Sequence, residues 1–299
     1  MKSNHSILGD LTADQFLAEY WQKKPLLIRN AIPNFEPPID GDDLAGLSLE
    51  AEVESRLVIG DDWALEHGPF EESRFASLPE QNWSLLVQGV DLWVPEVAGL
   101  LSSFDFLPSW RVDDIMVSYA EDGGNVGPHF DYYDVFLIQG EGQRHWQIGQ
   151  LCSEADLHTD STALKILKNL EVLDEWTLNP GDMLYLPPKI AHHGVAIGQC
   201  TTFSVGFRAP AATEMLDDLA TELLSRDITP NHLQDPPLNA AMANEPISGA
   251  YIQQVKELLQ QTLDDEQKSE FFVHLAEKFN PSPADVLSAA ELYSQEPTA

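Results

Sequence analysis

One stretch decides the fold, and it reads Asn179-Pro180-Gly181-Asp182-Met183-Leu184-Tyr185-Leu186-Pro187-Pro188-Lys189-Ile190-Ala191-His192. Its first residues favour a turn, because proline and glycine supply the backbone angles that tight turns need. The apolar run that follows predicts a short buried strand, and the proline pair predicts a bend. A histidine thus comes directly after a turn, a strand and a bend.

Short apolar runs separated by glycine, asparagine and proline surround this stretch on both sides. Their close spacing predicts an antiparallel β barrel or sandwich. The seven strands expected are Ile115–Ala120, His129–Gln139, His145–Gly149, Trp176–Leu178, Met183–Leu186, His193–Ile197 and Thr201–Phe207.

The residues before this β region predict helices and one short strand. Apolar side chains at helical spacing predict a helix over Thr12–Gln22, capped by Thr12 with Gln15 three residues later. A buried strand is expected at Leu26–Arg29, and a second helical stretch at Trp83–Leu101.

Helical spacing also dominates after residue 210, where we place a domain boundary. The four helices expected there are Thr213–Ser225, Ala250–Leu263, Glu266–Phe279 and Pro283–Ser294. Apolar stripes on the first two helices predict a homodimer, and a closed intramolecular bundle is the alternative.

The charge is strongly negative, at −33 from 16 basic and 49 acidic residues. A basic surface for direct nucleic-acid binding is therefore not expected, whereas a basic partner would be attracted. Solubility or a saline or cold habitat explains such acidity equally well. No uncharged apolar run approaches about 18 residues, so no membrane span is expected. The start lacks an apolar leader and only two cysteines are present, which predicts a cytoplasmic protein.

His129, Asp131 and His192 are candidate metal ligands. Residues i and i+2 of a strand point to the same face, so His129 and Asp131 can converge on one point. Adding His192 would give a facial set of two histidines and one carboxylate, which leaves three positions open on octahedral Fe(II). His193 is the alternative third ligand, although neighbours on a strand face opposite sides. The alternative for the whole set is ordinary buried histidines.

Arg144 alternates in phase with Trp146 and Ile148, which predicts that its guanidinium is buried. A buried guanidinium needs an anionic partner, and its forked geometry suits a carboxylate ligand. An internal salt bridge to Asp134 or Asp182 is the alternative.

Thr202 and Ser204 alternate with apolar neighbours on the last strand. Their hydroxyls could help to hold the same carboxylate, or they could be small packing residues.

Several segments resemble the bacterial JmjC-type ribosomal oxygenases, in particular their YcfD-like branch. The similarity is close over residues 10–210 and looser beyond. The segments that carry it are Phe16–Arg29 (FLAEYWQKKPLLIR), Trp83–Gln88 (WSLLVQ), Tyr119–Arg144, which includes Gly127–Gly142, and Phe203–Pro210 (FSVGFRAP).

The resemblance implies a double-stranded β-helix core of the cupin type, with Fe(II) and 2-oxoglutarate as cofactor and co-substrate. It also implies 3-hydroxylation of an arginine in the sixteenth protein of the large ribosomal subunit. By position, His129, Asp131 and His192 match the iron ligands, and Arg144 matches the arginine that binds the distal carboxylate of 2-oxoglutarate. The segment after residue 210 matches a dimerisation domain.

A cationic substrate side chain needs an anion near the iron ligands. The nearest candidates in sequence are Asp122, Asp134 and the phenol groups of Tyr132 and Tyr133. Alternative functions are hydroxylation of another residue such as histidine, demethylation, a different cupin metalloenzyme, and a non-catalytic acidic binding module.

Three domains are expected from the pattern and the resemblance together. They are a JmjC catalytic domain over residues 1–210, a helical dimerisation domain over 211–280, and a short remnant over 281–299. Relatives usually continue into a winged-helix domain, which we expect to be missing from this chain.

Overall fold

The computed structural model describes residues 6–156, 164–225, 232–237 and 247–263. These residues divide into two compact units, one up to Ala209 and one from Pro210 onward. The first unit is built on eleven strands. They are β1 (Leu26–Ile28), β2 (Ser55–Ile59), β3 (Ala64–His67), β4 (Trp83–Val87), β5 (Val112–Ala120), β6 (Asp134–Gln139), β7 (Gln143–Leu151), β8 (Asp174–Leu178), β9 (Met183–Leu186), β10 (Ile190–Ile197) and β11 (Cys200–Phe207).

Two antiparallel sheets form the body of the first unit. The larger has the order β1-β9-β6-β11-β5-β4-β2-β3, and the smaller has the order β10-β7-β8. Chain neighbours such as β6 and β7 lie in different sheets, so the chain crosses repeatedly between the two layers. The expected double-stranded β-helix is confirmed.

The outer face of the large sheet carries an aromatic core. Phe136 and Tyr185 lie 4.8 Å apart between ring centroids, and Phe16 packs edge-on against Tyr185 at 5.0 Å. Phe16 belongs to α1 (Ala13–Glu19), which begins at the expected Thr12 cap. Gln15 donates its main-chain N–H to the Thr12 hydroxyl, and its side chain accepts the Thr12 N–H in return. This helix therefore backs the sheet and leaves the inner face free.

Short helices complete the first unit. They are α2 (Gly41–Leu47), α3 (Glu72–Phe75), α4 (Pro95–Ala98) and 3-10 turns at Val90–Leu92, Gly99–Phe104, Ser109–Arg111 and Glu154–Asp156. The expected helix over Trp83–Leu101 is wrong at its start, where the chain forms β4 between β2 and β5. Residues 84–87 are buried on both faces of the sheet, and such a run lacks the alternation that distinguishes a strand from a helix.

The strand expected over His129–Gln139 is shorter in the structure and begins at Asp134. His129 instead makes an isolated antiparallel bridge with His192. The other six strands predicted around the central stretch are all present, with bounds that differ by up to three residues.

The second unit contains α5 (Ala212–Ser225) and α6 (Gly249–Leu263), each beginning one residue before the predicted start. Leu219 is buried, whereas Leu216, Leu224, Ile252 and Leu259 are exposed. The helices expected at Glu266–Phe279 and Pro283–Ser294, and the remnant over 281–299, lie outside the described residues. Among the described helices, none is both long enough and apolar enough to cross a bilayer.

Candidate functional site

A cavity of about 370 Å³ lies between the two sheets. Met116, Ser118, Thr202 and Ser204 line it from the large sheet, and Arg144, Trp146 and His192 line it from the small one. These positions alternate with core residues along each strand, because successive side chains of a strand point to opposite faces.

His129, Asp131 and His192 converge on this cavity. One potential ligand atom from each lies within 4.8 Å of the others, and among the described residues this is the one cluster of its kind. The Asp131 carboxylate lies 3.5 Å from Nε2 of His192, and the two imidazole centroids are 4.3 Å apart. Two nitrogens and one oxygen at this separation suit a transition-metal ion such as Fe(II).

Both imidazoles are held in the same orientation by main-chain carbonyls. Nδ1 of His129 lies 2.9 Å from the oxygen of Gly127, and Nδ1 of His192 lies 2.9 Å from the oxygen of Ile190. A carbonyl oxygen can only accept, so each Nδ1 donates a proton, and in the neutral form of such a ring Nε2 carries the lone pair. Burial, with the neighbouring His129, lowers the pKa of His192 to about 4. Neutral imidazoles with a free Nε2 are what a metal requires.

His193 is not among the residues that line the cavity. Its Nε2 lies 3.1 Å from the side-chain oxygen of Asn125, on the opposite side of β10 from His192. The structure therefore brings His192, and not His193, to Asp131.

Arg144 is buried, with 4% of its surface exposed. Its Nε and Nη2 have no hydrogen-bond partner among the described residues. The carboxylates that could have formed an internal salt bridge are engaged elsewhere. Asp134 accepts from the Tyr185 hydroxyl at 2.6 Å, and Asp182 pairs with Arg29 at 2.6 Å. A buried guanidinium left with free donors inside a cavity fits an anionic ligand.

Unpartnered hydroxyl groups lie in the same cavity. Thr202 is 2% exposed and its Oγ1 has no hydrogen-bond partner in the described ranges, and Ser204 follows two residues later on the same face. Ser84 and Ser118 also line the cavity, and the Ser84 hydroxyl is likewise unpartnered. Sequence reasoning missed these two serines, because β4 and β5 become neighbours of β2 and β11 only through long-range pairing.

The predicted substrate-binding residues separate into two groups. Tyr132 and Tyr133 are partly exposed and line the cavity. Asp122 does not line it, because its carboxylate accepts the main-chain N–H of Gly198 in the turn between β10 and β11. Asp134 is fully buried among the aromatic side chains on the outer face of the sheet. Closeness in sequence to the metal-binding motif was therefore a poor guide for these two carboxylates.

Asp114 is a carboxylate that sequence reasoning missed. It lies on β5, two and four residues before the cavity-lining Met116 and Ser118, and therefore on the same face. Its Oδ2 accepts hydrogen bonds from the main chain of Gly89 at 2.7 Å and from Gln88 at 2.8 Å. Burial raises the pKa of Asp114 to about 6, despite those two donors.

Asp114 does not line the cavity, but its charge reaches Tyr133, which does. Burial first, and then the charges of Asp131, Asp114 and Asp113, raise the pKa of the Tyr133 hydroxyl. The signal in the sequence was the alternation of Asp114, Met116 and Ser118 along β5. This alternation points to the site only once it is known which face of β5 lies toward the cavity.

The chain is similar to known proteins over most of its length. Residues 99–215 match the JmjC domain family, and residues 174–276 match the AraC-like ligand binding domain. The ribosomal protein uL16 3-hydroxylase of Escherichia coli is 44% identical over 223 residues. A probable ribosomal oxygenase of Haemophilus influenzae is 39% identical over 257 residues. These alignments cover 74% and 83% of this chain, but the chain spans only 59% and 63% of those two relatives.

A solved structure of Escherichia coli YcfD, a ribosomal oxygenase in complex with cobalt and 2-oxoglutarate, superimposes with a TM-score of 0.79. It is 37% identical, and the match covers 89% of this chain and 71% of that one. Similarity of this extent in both sequence and fold means that the chain belongs to the JmjC-type ribosomal oxygenases.

Proposed function

We propose that this chain is an Fe(II)- and 2-oxoglutarate-dependent dioxygenase that 3-hydroxylates an arginine of ribosomal protein uL16. The observation that carries the proposal is one cavity that holds both the ligand set of His129, Asp131 and His192 and the guanidinium of Arg144, whose Nε and Nη2 find no hydrogen-bond partner within the described part of the chain. A metal set alone fits many cupins. A buried cation beside it adds a place for a dicarboxylate co-substrate.

Bound Fe(II) and 2-oxoglutarate would supply the activation of dioxygen and the oxidising power. The chain supplies the geometry. His129, Asp131 and His192 would present Nε2, a carboxylate oxygen and Nε2 to the metal. Arg144 would form paired hydrogen bonds with the distal carboxylate of 2-oxoglutarate. The hydroxyl of Thr202, which lies two residues before Ser204 on β11, would add a third donor to that carboxylate.

The mouth of the cavity favours a cationic, partly apolar side chain. Tyr132 and Tyr133 offer aromatic walls, against which an arginine side chain can stack. Asp114 would add a negative charge that acts on Tyr133, and the net charge of −33 would attract a basic ribosomal protein over longer distances. The name of the Escherichia coli relative, ribosomal protein uL16 3-hydroxylase, supports the same class of substrate.

The proposal also includes the domains, the oligomeric state and the location of the protein. Residues 1–210 would form the catalytic domain and residues 211–280 a dimerisation domain, in a cytoplasmic homodimer without a nucleic-acid site of its own.

The test is hydroxylation in vitro. Purified chain, Fe(II), 2-oxoglutarate and uL16 would be incubated, and peptides would be analysed by tandem mass spectrometry. One added oxygen atom on an arginine, with stoichiometric succinate, is expected for the native chain and not for Asp131→Ala. Oxygen on a histidine, or loss of a methyl group, would favour the alternative oxygenases. Absence of succinate with every protein tested would favour a binding module.

A further inference from the structure

Asn125 lies outside the cavity and yet contacts both segments that carry the histidines. Its side-chain oxygen accepts from Nε1 of Trp63 at 2.7 Å, from the main chain of Gly127 at 2.9 Å and from Nε2 of His193 at 3.1 Å. Its amide nitrogen donates to the oxygen of Gly123 at 2.9 Å. All four contacts agree with one orientation of the amide, since the oxygen meets only donors and the nitrogen meets an acceptor.

The contact with Gly127 leads directly to His129. Gly127 donates its N–H to Asn125 and accepts the Nδ1 proton of His129 at 2.9 Å. It has a φ of +77°, and a Cβ at this position would lie 2.8 Å from Ile166 and 3.1 Å from Trp63. Gly127, whose carbonyl orients the imidazole, is therefore held by Asn125 through its N–H and lies close to the side chains of Ile166 and Trp63.

The contact with His193 connects Asn125 to β10. His193 follows His192, whose main chain is bridged to that of His129. By accepting the Nε2 proton of His193, Asn125 holds that ring on the outer side of the strand. The neighbouring His192 then faces the cavity, because adjacent side chains alternate.

We infer that Asn125 is a positioning residue for the metal centre: through Gly127 it holds the His129 ring with Nε2 directed at the metal. Trp63, from the turn between β2 and β3, supports Asn125 from outside the ligand-bearing segments. The inference rests on the proposed function, because it takes His129 as a metal ligand. Groups that orient a ligating histidine in this way typically contribute tenfold to hundredfold in metal affinity.

The test is Co(II) binding to the full chain, measured by calorimetry and by the visible absorption of the bound ion. Asn125→Ala removes the acceptor and is expected to weaken Co(II) binding by about tenfold or more. Asn125→Asp keeps an acceptor oxygen and should restore most of the affinity. Asn179→Ala is the matched control, because this asparagine accepts one side-chain hydrogen bond from Gln143 in an exposed turn. Equal affinity of Asn125→Ala and the native chain would overturn the inference.

A second measurement needs no variant, and so does not depend on how well Asn125→Ala folds. Nitrogen-15 NMR of the metal-free native chain, read on the neutral imidazole, should show the Nδ1–H tautomer of His129 that its contact with Gly127 requires. The Nε2–H tautomer would overturn the inference. If the native chain binds no Co(II), or if His129→Ala binds it equally well, the metal centre itself is wrong, and the inference fails with it. Co(II) binding that is lost in His129→Ala but unchanged in Asn125→Ala refutes the role of Asn125 alone.

Discussion

His129 and His192 exchange both of their main-chain hydrogen bonds. The N–H of His129 donates to the oxygen of His192 at 3.0 Å, and the reverse bond measures 2.8 Å. This reciprocal pair sets the separation of the two imidazoles through the backbone, independently of any ion. The backbone therefore contributes to the spacing of the two imidazoles, and the bridge uses main-chain atoms alone.

His192 and its neighbour His193 lie on opposite sides of β10, so replacing them should have different effects. We expect His192→Ala to abolish 2-oxoglutarate turnover, because it removes a neutral nitrogen ligand from the cavity. His193→Ala should keep turnover, because that ring lies on the other side of β10. Succinate formation and circular dichroism would be measured for both variants. A dead His193→Ala beside an active His192→Ala would show that the third ligand has been misassigned.

Arg144 should determine the affinity for 2-oxoglutarate. Losing a buried partner of a carboxylate costs about 2–5 kcal/mol, or roughly thirtyfold to several-thousandfold in affinity. We expect Arg144→Ala to weaken 2-oxoglutarate binding at least about thirtyfold, with little change in Fe(II) retention. Arg144→Lys should recover part of the loss through its charge, but not the forked geometry.

Calorimetric titration with 2-oxoglutarate would check this prediction. Gln143→Ala is the matched control, because Gln143 is the exposed neighbour of Arg144 on β7. An unchanged affinity in Arg144→Ala would show that the guanidinium has another role.

Ionised Asp114 should lower the stability of the fold and improve the capture of a basic substrate. Its pKa of about 6 lies above the ordinary value of 3.8, so the folded protein binds the proton more tightly than the unfolded chain does. Ionised Asp114 therefore destabilises the fold, by an amount that grows as pH rises from about 4 to about 6 and is full above pH 6. Asp114→Asn should raise the free energy of unfolding by about 1–3 kcal/mol at pH 8 and by little at pH 4.

Asp114→Asn should stabilise the fold but weaken the capture of a basic substrate. Asp114→Asn is expected to raise KM for a basic peptide, and native kcat/KM should fall as pH drops below about 6. Chemical denaturation at the two pH values and a pH profile of both proteins would check this. Equal stability and equal KM at pH 8 would contradict both halves of the prediction.

The helical unit should associate two chains. Leu224 and Leu259 are 87% and 59% exposed, although both belong to apolar stripes on α5 and α6. Burying such stripes against a second copy would remove apolar surface from water. We expect the full chain to be a dimer by light scattering and Leu259→Lys to shift it toward monomer. The neighbouring Gln261→Lys is the control, and a monomeric native chain would refute the prediction.

The acidity should steer the protein substrate. The screening length falls from about 10 Å at 0.1 M salt to about 3 Å at 1 M, which removes long-range attraction but spares contacts in the cavity. Between these salt levels kcat/KM for uL16 should drop steeply, whereas KM for 2-oxoglutarate should change far less. Steady-state kinetics at several ionic strengths would decide. A flat profile for the protein substrate would assign the acidity to solubility or habitat.

The sequence alone determined the features that follow from a short repeat of residue types, namely most strands, the start of α1 and the burial of Arg144. Turn residues and apolar runs predicted seven strands, and Thr12 with Gln15 predicted the start of α1. The alternation of Arg144 with Trp146 and Ile148 predicted a buried guanidinium, which is what β7 shows. A two-residue repeat is a local property of the chain and can be recognised without knowing what packs against it.

Only the tertiary structure decided which side chains share the cavity. Asp122 and Asp134 are close in sequence to Asp131, yet the structure engages both of them outside the cavity. Asp114, whose charge reaches Tyr133 although it does not line the cavity, was invisible in the sequence. Ser84, Ser118 and Asn125 were likewise invisible, since their partners come from other strands and turns. The physical reason is that side-chain direction is set within a strand, whereas the neighbours of a strand are set by hydrogen bonds and apolar contacts between residues far apart in the chain.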